Sequence, residues 1–448
     1  MTIRIITIPK LFFFAKKYLF IIVLAATVLL MSPAAFAQGR QIGLNVLLNT
    51  DITDEIIAEL DNIGNVLNKY RQIGGLHMRA PENKISAIEA LSYVEAVSPD
   101  AERYGRPVDT VNVEDFTGGL STWNLDAIDI TNPGFDNRQV DYDGSGVYVA
   151  VLDSGLVDSW RQYFPQERIA TEYAICFGGG GMEQGTISTQ PNKWEHDQDS
   201  HGTHVTSTII GYNLNGMPIN GVAPMATIIP VKVLNQTGWC WSSVTAQGIL
   251  YVADLKAGPL VDYPVVINMS LGGTQLDALE KKAIDYAIDQ GVIIVASAGN
   301  NGDAGMGYPG AYEPVISVAA SGWLYEWTHL SWWWILDVPE PTNPDDFYIA
   351  TWSSLQLTGQ DLDVAAPGCW VVGPYQFQSG WTSYYYLGGT SMACPHVAGI
   401  VALMTQKDAG LTSSEAEAIL ESTSIPMPEP LVSGSGLVDA DAALSAMP

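Results

Sequence analysis

The segment from Gly388 to Gly399 reads Gly-Gly-Thr-Ser-Met-Ala-Cys-Pro-His-Val-Ala-Gly, and it constrains the fold more than any other stretch. The small and apolar residues that continue to Met404 predict a helix buried on every side. Two glycines let the backbone turn sharply into this helix, and Pro395 is expected in its first turn, where a missing N–H matters little. Ser391 then stands at the N-terminus of a buried helix, which favours developing negative charge. A serine held there can act as a nucleophile if a base lies beside it.

Two other segments supply an acid and a base. The apolar run Val147–Leu152 is typical of a buried parallel strand, and Asp153 follows it. Functional groups of open α/β sheets gather at that carboxyl edge. His201 lies in Asp-Ser-His-Gly-Thr-His-Val, ahead of a second helical run. Each residue taken singly reads as a turn or helix-cap residue, but the set in the order Asp, His, Ser indicates a catalytic triad.

A fourth segment, Val292–Gly302, predicts another buried strand that ends in a polar turn. Together the four segments closely resemble the motifs of subtilisin-like serine proteases. The resemblance implies that Asp153, His201 and Ser391 are catalytic. It also implies that Asn300 and the Ser391 backbone N–H form the oxyanion hole.

The same resemblance suggests substrate-binding residues. The strand around residues 238–243 is expected to pair with an extended substrate backbone. Trp239 and Trp241 are expected to line the outer subsites. The other expected contacts are Ser270, Leu271, Gly272, Ser297, Ala298, Gly299 and Gly307. A glycine at position 307 leaves a large pocket, so we expect broad specificity with a large apolar residue before the cut.

Strand-like and helix-like runs alternate through most of the chain. This pattern predicts an α/β fold with a doubly wound, mostly parallel sheet and helices on both faces. Residues 38–110 show a βαββαβ-like alternation that resembles the inhibitor-like propeptide of the family. A small permanent N-terminal domain is the alternative. Residues 111–448 are assigned to the peptidase domain, and maturation is expected within residues 100–112, specifically at Tyr104–Gly105.

The first residues predict export. Lys10, Lys16 and Lys17 precede an apolar run, and Ala35-Phe36-Ala37 forms a small-x-small cleavage site. Residues 1–37 are therefore assigned to a signal peptide. A membrane anchor is the alternative, for which the run is short. We expect an extracellular or periplasmic enzyme with no membrane attachment after cleavage.

The formal net charge is −28 over 448 residues. Such a surface repels nucleic acid and anionic membranes, and it suits a saline or calcium-containing setting. We expect no cofactor for catalysis but structural Ca²⁺, with Asn213 and Asn215 as candidate ligands in an oxygen-rich loop. The expected state is a monomer whose partners are protein or peptide substrates and its own propeptide, acting as an intramolecular inhibitor.

Cysteines and tryptophans leave alternatives open. Cys176, Cys240, Cys369 and Cys394 allow three pairings, and Cys176 with Cys240 is the expected one if a disulfide exists. The aromatic stretches 321–352 and 369–386 are longer than in typical relatives. They stack on a substrate or partner, or they pack together as a satellite cluster, which we favour.

The sequence therefore predicts a secreted serine endopeptidase made as a zymogen. The rival readings are an aromatic-rich binding protein built on an inactive protease, and a processing protease with one natural target. His204 and His396 are expected to be packing or supporting residues in helices. Asp197 and Asp199 are expected in a solvated loop.

Overall fold

The computed structural model describes residues 40–104, 109–112, 122–132, 137–178, 193–214, 216–328, 330–335, 338, 343–378 and 381–448. The assigned signal peptide, Gly105 and Asn215 lie outside these ranges.

Residues 41–99 form a four-stranded antiparallel sheet, in the order β2-β3-β1-β4, with two short helices. The elements are β1 (Gln41–Leu48), α1 (Asp54–Asp61), β2 (Asn65–Tyr70), β3 (Gly75–Pro81), α2 (Ile85–Glu89) and β4 (Val94–Pro99). Thr53 caps α1 by accepting a hydrogen bond from the Ile56 N–H. The sequence did not single out β2, because Asn65–Lys69 is exposed or half-buried and lacks a clear apolar face.

The rest of the described chain alternates strands and helices. The strands are β5 (Glu102–Tyr104), β6 (Asp109–Asn112), β7 (Tyr148–Asp153), β8 (Ile175–Cys176), β9 (Tyr212–Leu214), β10 (Met217–Ile219), β11 (Thr227–Lys232), β12 (Trp239–Trp241), β13 (Val265–Met269), β14 (Val292–Ser297), β15 (Ile316–Trp323), β16 (Phe347–Ile349), β17 (Val364–Pro367), β18 (Val371–Gln378) and β19 (Trp381–Gly388). The helices are α3 (Trp123–Asp126), α4 (His201–Ile210), α5 (Ser242–Ala257), α6 (Ala278–Asp289), α7 (Thr390–Lys407), α8 (Ser413–Thr423), α9 (Pro430–Ser433) and α10 (Ala440–Ala446). None of the helices in the described ranges combines the length and hydropathy that a membrane crossing requires.

The central sheet runs in the order β16-β15-β14-β13-β7-β11-β8, with β17 also beside β15. Its strands are parallel except for β16. The strand order reverses at β7, which has β11 on one side and β13 followed by β14 on the other. The carboxyl ends of β7, β13 and β14 therefore meet at one edge, beside a topological switch point.

Helices cover both faces of this sheet, as predicted. Val149 and Val151 of β7 pack in one apolar cluster, which includes residues of α4 and α7. Ala150 and Leu152 pack in a second cluster, which includes residues of α5 and α6. Successive side chains of a strand point to opposite faces, so β7 is buried from both sides.

The tryptophans of the aromatic stretch pack together, but in the main core rather than in a satellite cluster. Trp123 stacks on Trp323, with ring centroids 6.3 Å apart, and Trp333 lies 6.0 Å from Trp123. These rings belong to the same buried cluster as the sheet and α7. Trp327 remains 41% exposed while contacting Trp333.

The pairing expected if a disulfide exists, Cys176 with Cys240, is not formed. Both residues are buried thiols and neither forms a disulfide. Cys240 lies in β12 and Cys176 ends β8, at the edge of a different sheet. Burial raises the pKa of both thiols.

Candidate active site

Asp153 and His201 meet at the carboxyl edge of the sheet. Asp153 is the last residue of β7 and His201 is the first residue of α4. The His201 Nδ1 atom lies 2.9 Å from each carboxylate oxygen of Asp153. The Ser154 backbone N–H donates to Asp153 Oδ1 at 2.6 Å, and both side chains of the pair are buried. The imidazole is therefore held by a fixed carboxylate, as in a catalytic triad.

Gly202 permits this close approach. A Cβ atom added there would lie 2.6 Å from the Gly155 carbonyl oxygen and 3.1 Å from Asp153 Oδ1. A side chain would therefore push the start of α4 away from Asp153. The Gly202 N–H also donates to Ser154 Oγ at 2.8 Å, which ties the two segments together.

Ser391 is the second residue of α7 and its side chain is buried. Its hydroxyl donates to the Ser270 carbonyl oxygen at 3.1 Å. The His201 Nε2 atom is buried without a hydrogen-bond partner. The structure thus joins Asp153 to His201, whereas the Ser391 hydroxyl is turned towards β13. Catalytic hydrogen bonds are often long or absent without substrate and tighten when it binds.

Pro395 was expected in the first turn of its helix, but it lies in the second turn of α7. A proline there removes the N–H that would bond the carbonyl of the residue four positions earlier, which is Ser391. The Ser270 hydroxyl donates to the Ser391 carbonyl oxygen at 2.8 Å instead. Ser270 therefore contacts Ser391 through both its hydroxyl and its carbonyl.

Asn300 follows β14 and is oriented by the start of α7. Its Oδ1 atom accepts hydrogen bonds from the backbone N–H and the hydroxyl of Thr390, each at 2.9 Å. The carbonyl end of the amide is thereby fixed on the helix. Asn300 lines the same cleft as Ser391, so its NH₂ group is available as a donor there.

The expected substrate contacts fall into two groups. Gly272, Ser297, Gly299 and Gly307 line the cleft together with Ser391. Ser270, Leu271 and Ala298 are buried. The Ala298 carbonyl accepts the Gly307 N–H at 2.8 Å, and Ser297 Oγ donates to the Leu271 carbonyl at 3.4 Å.

The segment that leads into β5 reaches this cleft, because Asp100, Ala101 and Glu102 line it together with Ser391. β5 pairs antiparallel with β12, so that Arg103 is opposite Cys240. β6 pairs antiparallel with β19, with Asp109 opposite Gly388, just ahead of Ser391. Asp100 caps α5, because its carboxylate accepts the Ser243 N–H at 3.0 Å. β5 therefore adds a strand beside β12 at the cleft, and β6 adds one beside β19, the strand that leads into α7.

The profile of the subtilase family, Peptidase_S8, matches residues 144–443. The chain belongs to the subtilase family. It is 28% identical over 427 residues to the thermostable alkaline protease of Halalkalibacterium halodurans, covering 95% of this chain and 98% of that protein. It is 33% identical over 300 residues to subtilisin Savinase of Lederbergia lenta, covering 67% and 91%.

Solved structures agree on the fold. Fervidolysin from Fervidobacterium pennivorans, described as a keratinolytic enzyme related to subtilisin, superposes with a TM-score of 0.67 at 24% identity. The match covers 91% of this chain, which spans 61% of fervidolysin. Sphericase gives a TM-score of 0.54 at 26% identity, covering 71% of this chain and 97% of that one. This subtilase is a subtilisin-type serine endopeptidase, and so a hydrolase.

The charges around His201 favour its protonated form. Burial opposes the positive charge, but Asp153, Asp199 and Asp197 outweigh it, and the pKa of His201 is raised. Asp197 was expected in a solvated loop, but it is buried. Its carboxylate accepts hydrogen bonds from the Ser200 N–H at 2.7 Å and from the Thr203 hydroxyl at 3.1 Å. Burial raises the pKa of Asp197 itself.

His204 and His396 are supporting residues in this subtilase, as expected from the sequence. The Nε2 atom of His204 lies 3.1 Å from the Val371 carbonyl oxygen. The Nδ1 atom of His396 lies 2.8 Å from the Met392 carbonyl oxygen. Burial lowers the pKa of His204 to about 3 and that of His396 to about 4, so both are neutral at neutral pH.

Sequence reasoning missed Lys232. This buried lysine ends β11 in register with Asp153, and its ammonium group donates to the Ser154 carbonyl. The available signal was a lone charge in the apolar run Ile-Ile-Pro-Val-Lys-Val-Leu. Lys232 places a positive charge behind the carboxylates of the site, and it favours the ionised form of Asp197.

Possible calcium ligands lie in two places. Asn213 fits poorly, because its Oδ1 atom already accepts the Gly216 N–H at 2.8 Å and its amide donates to the Gln162 carbonyl. Asp361, Asp363 and Glu417 fit better, since one ligand oxygen from each lies within 4.8 Å of the others. Asp363 Oδ1 is buried without a partner, and burial raises the pKa of Asp363 to about 7. Carboxylate oxygens are the ligands that Ca²⁺ prefers.

Proposed function

We propose that this subtilase is a secreted endopeptidase that hydrolyses peptide bonds through an acyl-enzyme on Ser391. Ser391 Oγ attacks the peptide carbonyl carbon while His201 Nε2 takes the hydroxyl proton and passes it to the leaving amine. His201 then activates the water that releases the acyl group, and Asp153 orients the ring and stabilises its positive form. The observation that carries the proposal is the hydrogen-bonded Asp153–His201 pair at the carboxyl edge of the sheet, the edge where Ser391 contacts Ser270 after β13.

Labelling with a fluorophosphonate, followed by mass spectrometry, tests this function. The reagent should modify Ser391 and casein should be digested. An unlabelled protein that digests nothing would support the rival binding function. A labelled protein that cleaves little casein would favour a processing protease with one target.

Asn300 is proposed to stabilise the oxyanion, with the Ser391 backbone N–H as the second donor. Asn300→Ala should lower kcat by about 10²–10³, or about 2.7–4 kcal/mol, a magnitude known from this role in subtilisin. KM should change little, because the amide acts on charge that develops in the transition state. Steady-state kinetics on one peptide measures kcat and KM separately, and thermal unfolding checks that the variant is folded. An unchanged kcat would remove Asn300 from the mechanism.

The specificity is proposed to be broad, with a large apolar residue before the cut. Gly307 supports this pocket assignment, since it lines the cleft and a Cβ atom added there would meet nothing closer than 3.4 Å. Ser270, Leu271, Gly272, Ser297, Ala298 and Gly299 remain the proposed substrate-binding residues. The proposed partners are protein or peptide substrates, with no nucleic acid, and the proposed state is a monomer.

Residues 1–37 are proposed to direct export, and residues 38–110 to form an inhibitory propeptide. The contacts of the N-terminal sheet support the second assignment. Asn45 Nδ2 donates to Asp277 Oδ2 at 2.8 Å at the start of α6, and the Tyr70 hydroxyl donates to the Ser243 carbonyl at 3.1 Å. β5 then occupies the strand position beside β12 where a substrate is expected to pair.

Maturation is proposed to be a self-cleavage within residues 100–112. β5 and β6 pair with different strands, β12 and β19, on either side of residues 105–108, which favours a bond between Tyr104 and Asp109. Tyr104–Gly105 remains the specific choice, because a proline after the cut disfavours Arg106–Pro107. N-terminal sequencing of active enzyme should therefore begin at Gly105. A start beyond Trp123 would contradict the domain boundary.

Structural calcium is proposed at the acidic group of Asp361, Asp363 and Glu417. Millimolar CaCl₂ should raise the melting temperature relative to EDTA, because the cation neutralises crowded carboxylates. Asp363→Asn should abolish most of this difference, whereas Asp345→Asn, at an exposed carboxylate, should preserve it. A melting temperature indifferent to chelator would contradict the proposal. An effect that survives Asp363→Asn would move the site elsewhere.

A further inference from the structure

A buried ion pair joins β5, at the edge of the cleft, to the peptidase. Arg103 of β5 and Glu280 of α6 are fully buried, although they are 177 residues apart in sequence. The Arg103 Nε atom donates to both carboxylate oxygens of Glu280 at 3.0 Å, and Nη2 donates to Oε2. A guanidinium and a carboxylate paired edge to edge form one of the most specific charged contacts in proteins.

The pocket around the guanidinium is built by the peptidase domain. Thr245 of α5 orients the carboxylate, since its hydroxyl donates to Glu280 Oε1 at 2.6 Å. Cys240 of β12 lies opposite Arg103 in the strand ladder. Gly273 lines the other side: a Cβ atom added there would lie 3.0 Å from Arg103 Nη1 and 2.1 Å from the Glu102 carbonyl oxygen. The arginine is thus presented from an extended strand into a pocket formed around it.

The pocket belongs to the substrate cleft. Glu102 and Gly273, which flank the guanidinium, line the same cleft as Ser391 and Asn300. β5 approaches from the N-terminal side of the proposed cut, so Arg103 lies in the part of the chain that leaves as the acyl portion. Once β5 departs, the buried carboxylate of Glu280 keeps the Thr245 hydroxyl but loses its cation. A buried carboxylate without a cation is strongly unfavourable, and a new guanidinium in the same place would relieve it.

We infer that Glu280 forms an acidic subsite that selects arginine on the N-terminal side of the scissile bond, in substrates as in the chain's own Arg103. The inference rests on the proposed self-cleaving endopeptidase function and adds a second specificity determinant to its apolar pocket. The spacing between the selected arginine and the cut should equal the spacing between Arg103 and the maturation cut. Lysine should be a poor replacement, because an ammonium group cannot donate edge to edge to both oxygens.

Internally quenched peptides test the subsite on the processed enzyme. The parent peptide carries residues 99–112, and three others replace Arg103 by citrulline, lysine or leucine. Citrulline keeps the shape but removes the charge, so it should lower kcat/KM by about 10- to 100-fold. Mass spectrometry of the products gives the spacing. Equal rates for arginine and citrulline would overturn the inference.

Variants of the enzyme test whether Glu280 causes the preference for arginine. Glu280→Gln should cleave the arginine and citrulline peptides at similar rates, whereas Asp289→Asn, an exposed acid on the same helix, should keep the native preference. If Glu280→Gln fails to fold because Arg103 is left unpaired, the double variant Arg103→Leu/Glu280→Leu replaces the buried pair by apolar groups. That enzyme should prefer the leucine peptide, and an undiminished arginine preference in it would overturn the inference.

Fluorophosphonate labelling distinguishes failure of the proposed subsite from failure of the proposed function. Processed enzyme that reacts with a fluorophosphonate and digests casein but ignores the residue at position 103 would overturn the subsite alone. Protein that neither reacts nor digests casein would overturn the proposed function, and the subsite with it.

Discussion

Ser391→Ala is expected to lose all fluorophosphonate labelling and to lower kcat by about 10⁶-fold, the loss that removal of the nucleophile causes in subtilisin. The reason is that the hydroxyl oxygen forms the covalent bond, and a methyl group cannot. The residual rate would come from the oxyanion donors and from substrate binding. Mass spectrometry of labelled protein and kinetics on a quenched peptide provide the measurements.

Ser414→Ala is a matched control. Ser414 is also the second residue of a helix, α8, but it is exposed. The Ser414→Ala variant should be labelled by the fluorophosphonate and should cleave the peptide as the native enzyme does. Ser391→Ala made in a protease-free host should also keep the full propeptide. Labelling that survives in Ser391→Ala would move the nucleophile elsewhere, and a processed chain would exclude self-cleavage.

Asp153→Asn is expected to lower kcat by about 10⁴-fold, the loss that this change causes in a triad protease of unrelated fold. Both carboxylate oxygens face the His201 Nδ1 atom, and Oδ1 also accepts the Ser154 N–H. An amide NH₂ in place of one oxygen would donate to Nδ1. The His201 ring would then carry its proton on Nε2, where it cannot accept one from Ser391. Steady-state kinetics, with thermal unfolding as the folding check, measures the loss.

The pH dependence gives Asp153→Asn a second readout. Neutral His201 is the active base, and its pKa is raised chiefly by Asp153 against the effect of burial. Activity of the native enzyme should therefore fall, as pH decreases, at a pH above the ordinary histidine range. In Asp153→Asn the cation loses its partner, so the remaining activity should persist to lower pH. Profiles of kcat/KM that coincide would show that Asp153 does not act on His201.

The sequence predicted those parts of the fold that depend on local pattern. The run Val147–Leu152 became β7 (Tyr148–Asp153), shifted by one residue, and the segment Val292–Gly302 became β14 (Val292–Ser297) followed by a turn. Asp153 ends one buried strand, Ser270 and Asn300 follow two others, and parallel strands bring their carboxyl ends together. The position of the candidate site therefore followed from the motifs and the fold class.

The remaining features depend on distances through space. Glu280 reads in sequence as one acidic residue of an amphipathic helix, and only the fold places Arg103 against it. The contact of Ser270 with the Ser391 carbonyl depends on the exact turn in which Pro395 falls. Sequence alone could not decide whether Cys176 and Cys240 pair, because composition carries no information on the separation of two thiols.

The link between β5 and β6 also determines how the proposed processing depends on concentration. β5 is paired with β12 in one sheet, and β6 with β19 in another, so the strands on both sides of the proposed cut are anchored to the same molecule that carries the proposed nucleophile. Such a reaction follows first-order kinetics, and its half-time should be unchanged by dilution. After the cut, the strands that flank it, β5 and β6, belong to different sheets, which favours separation of the two pieces over religation.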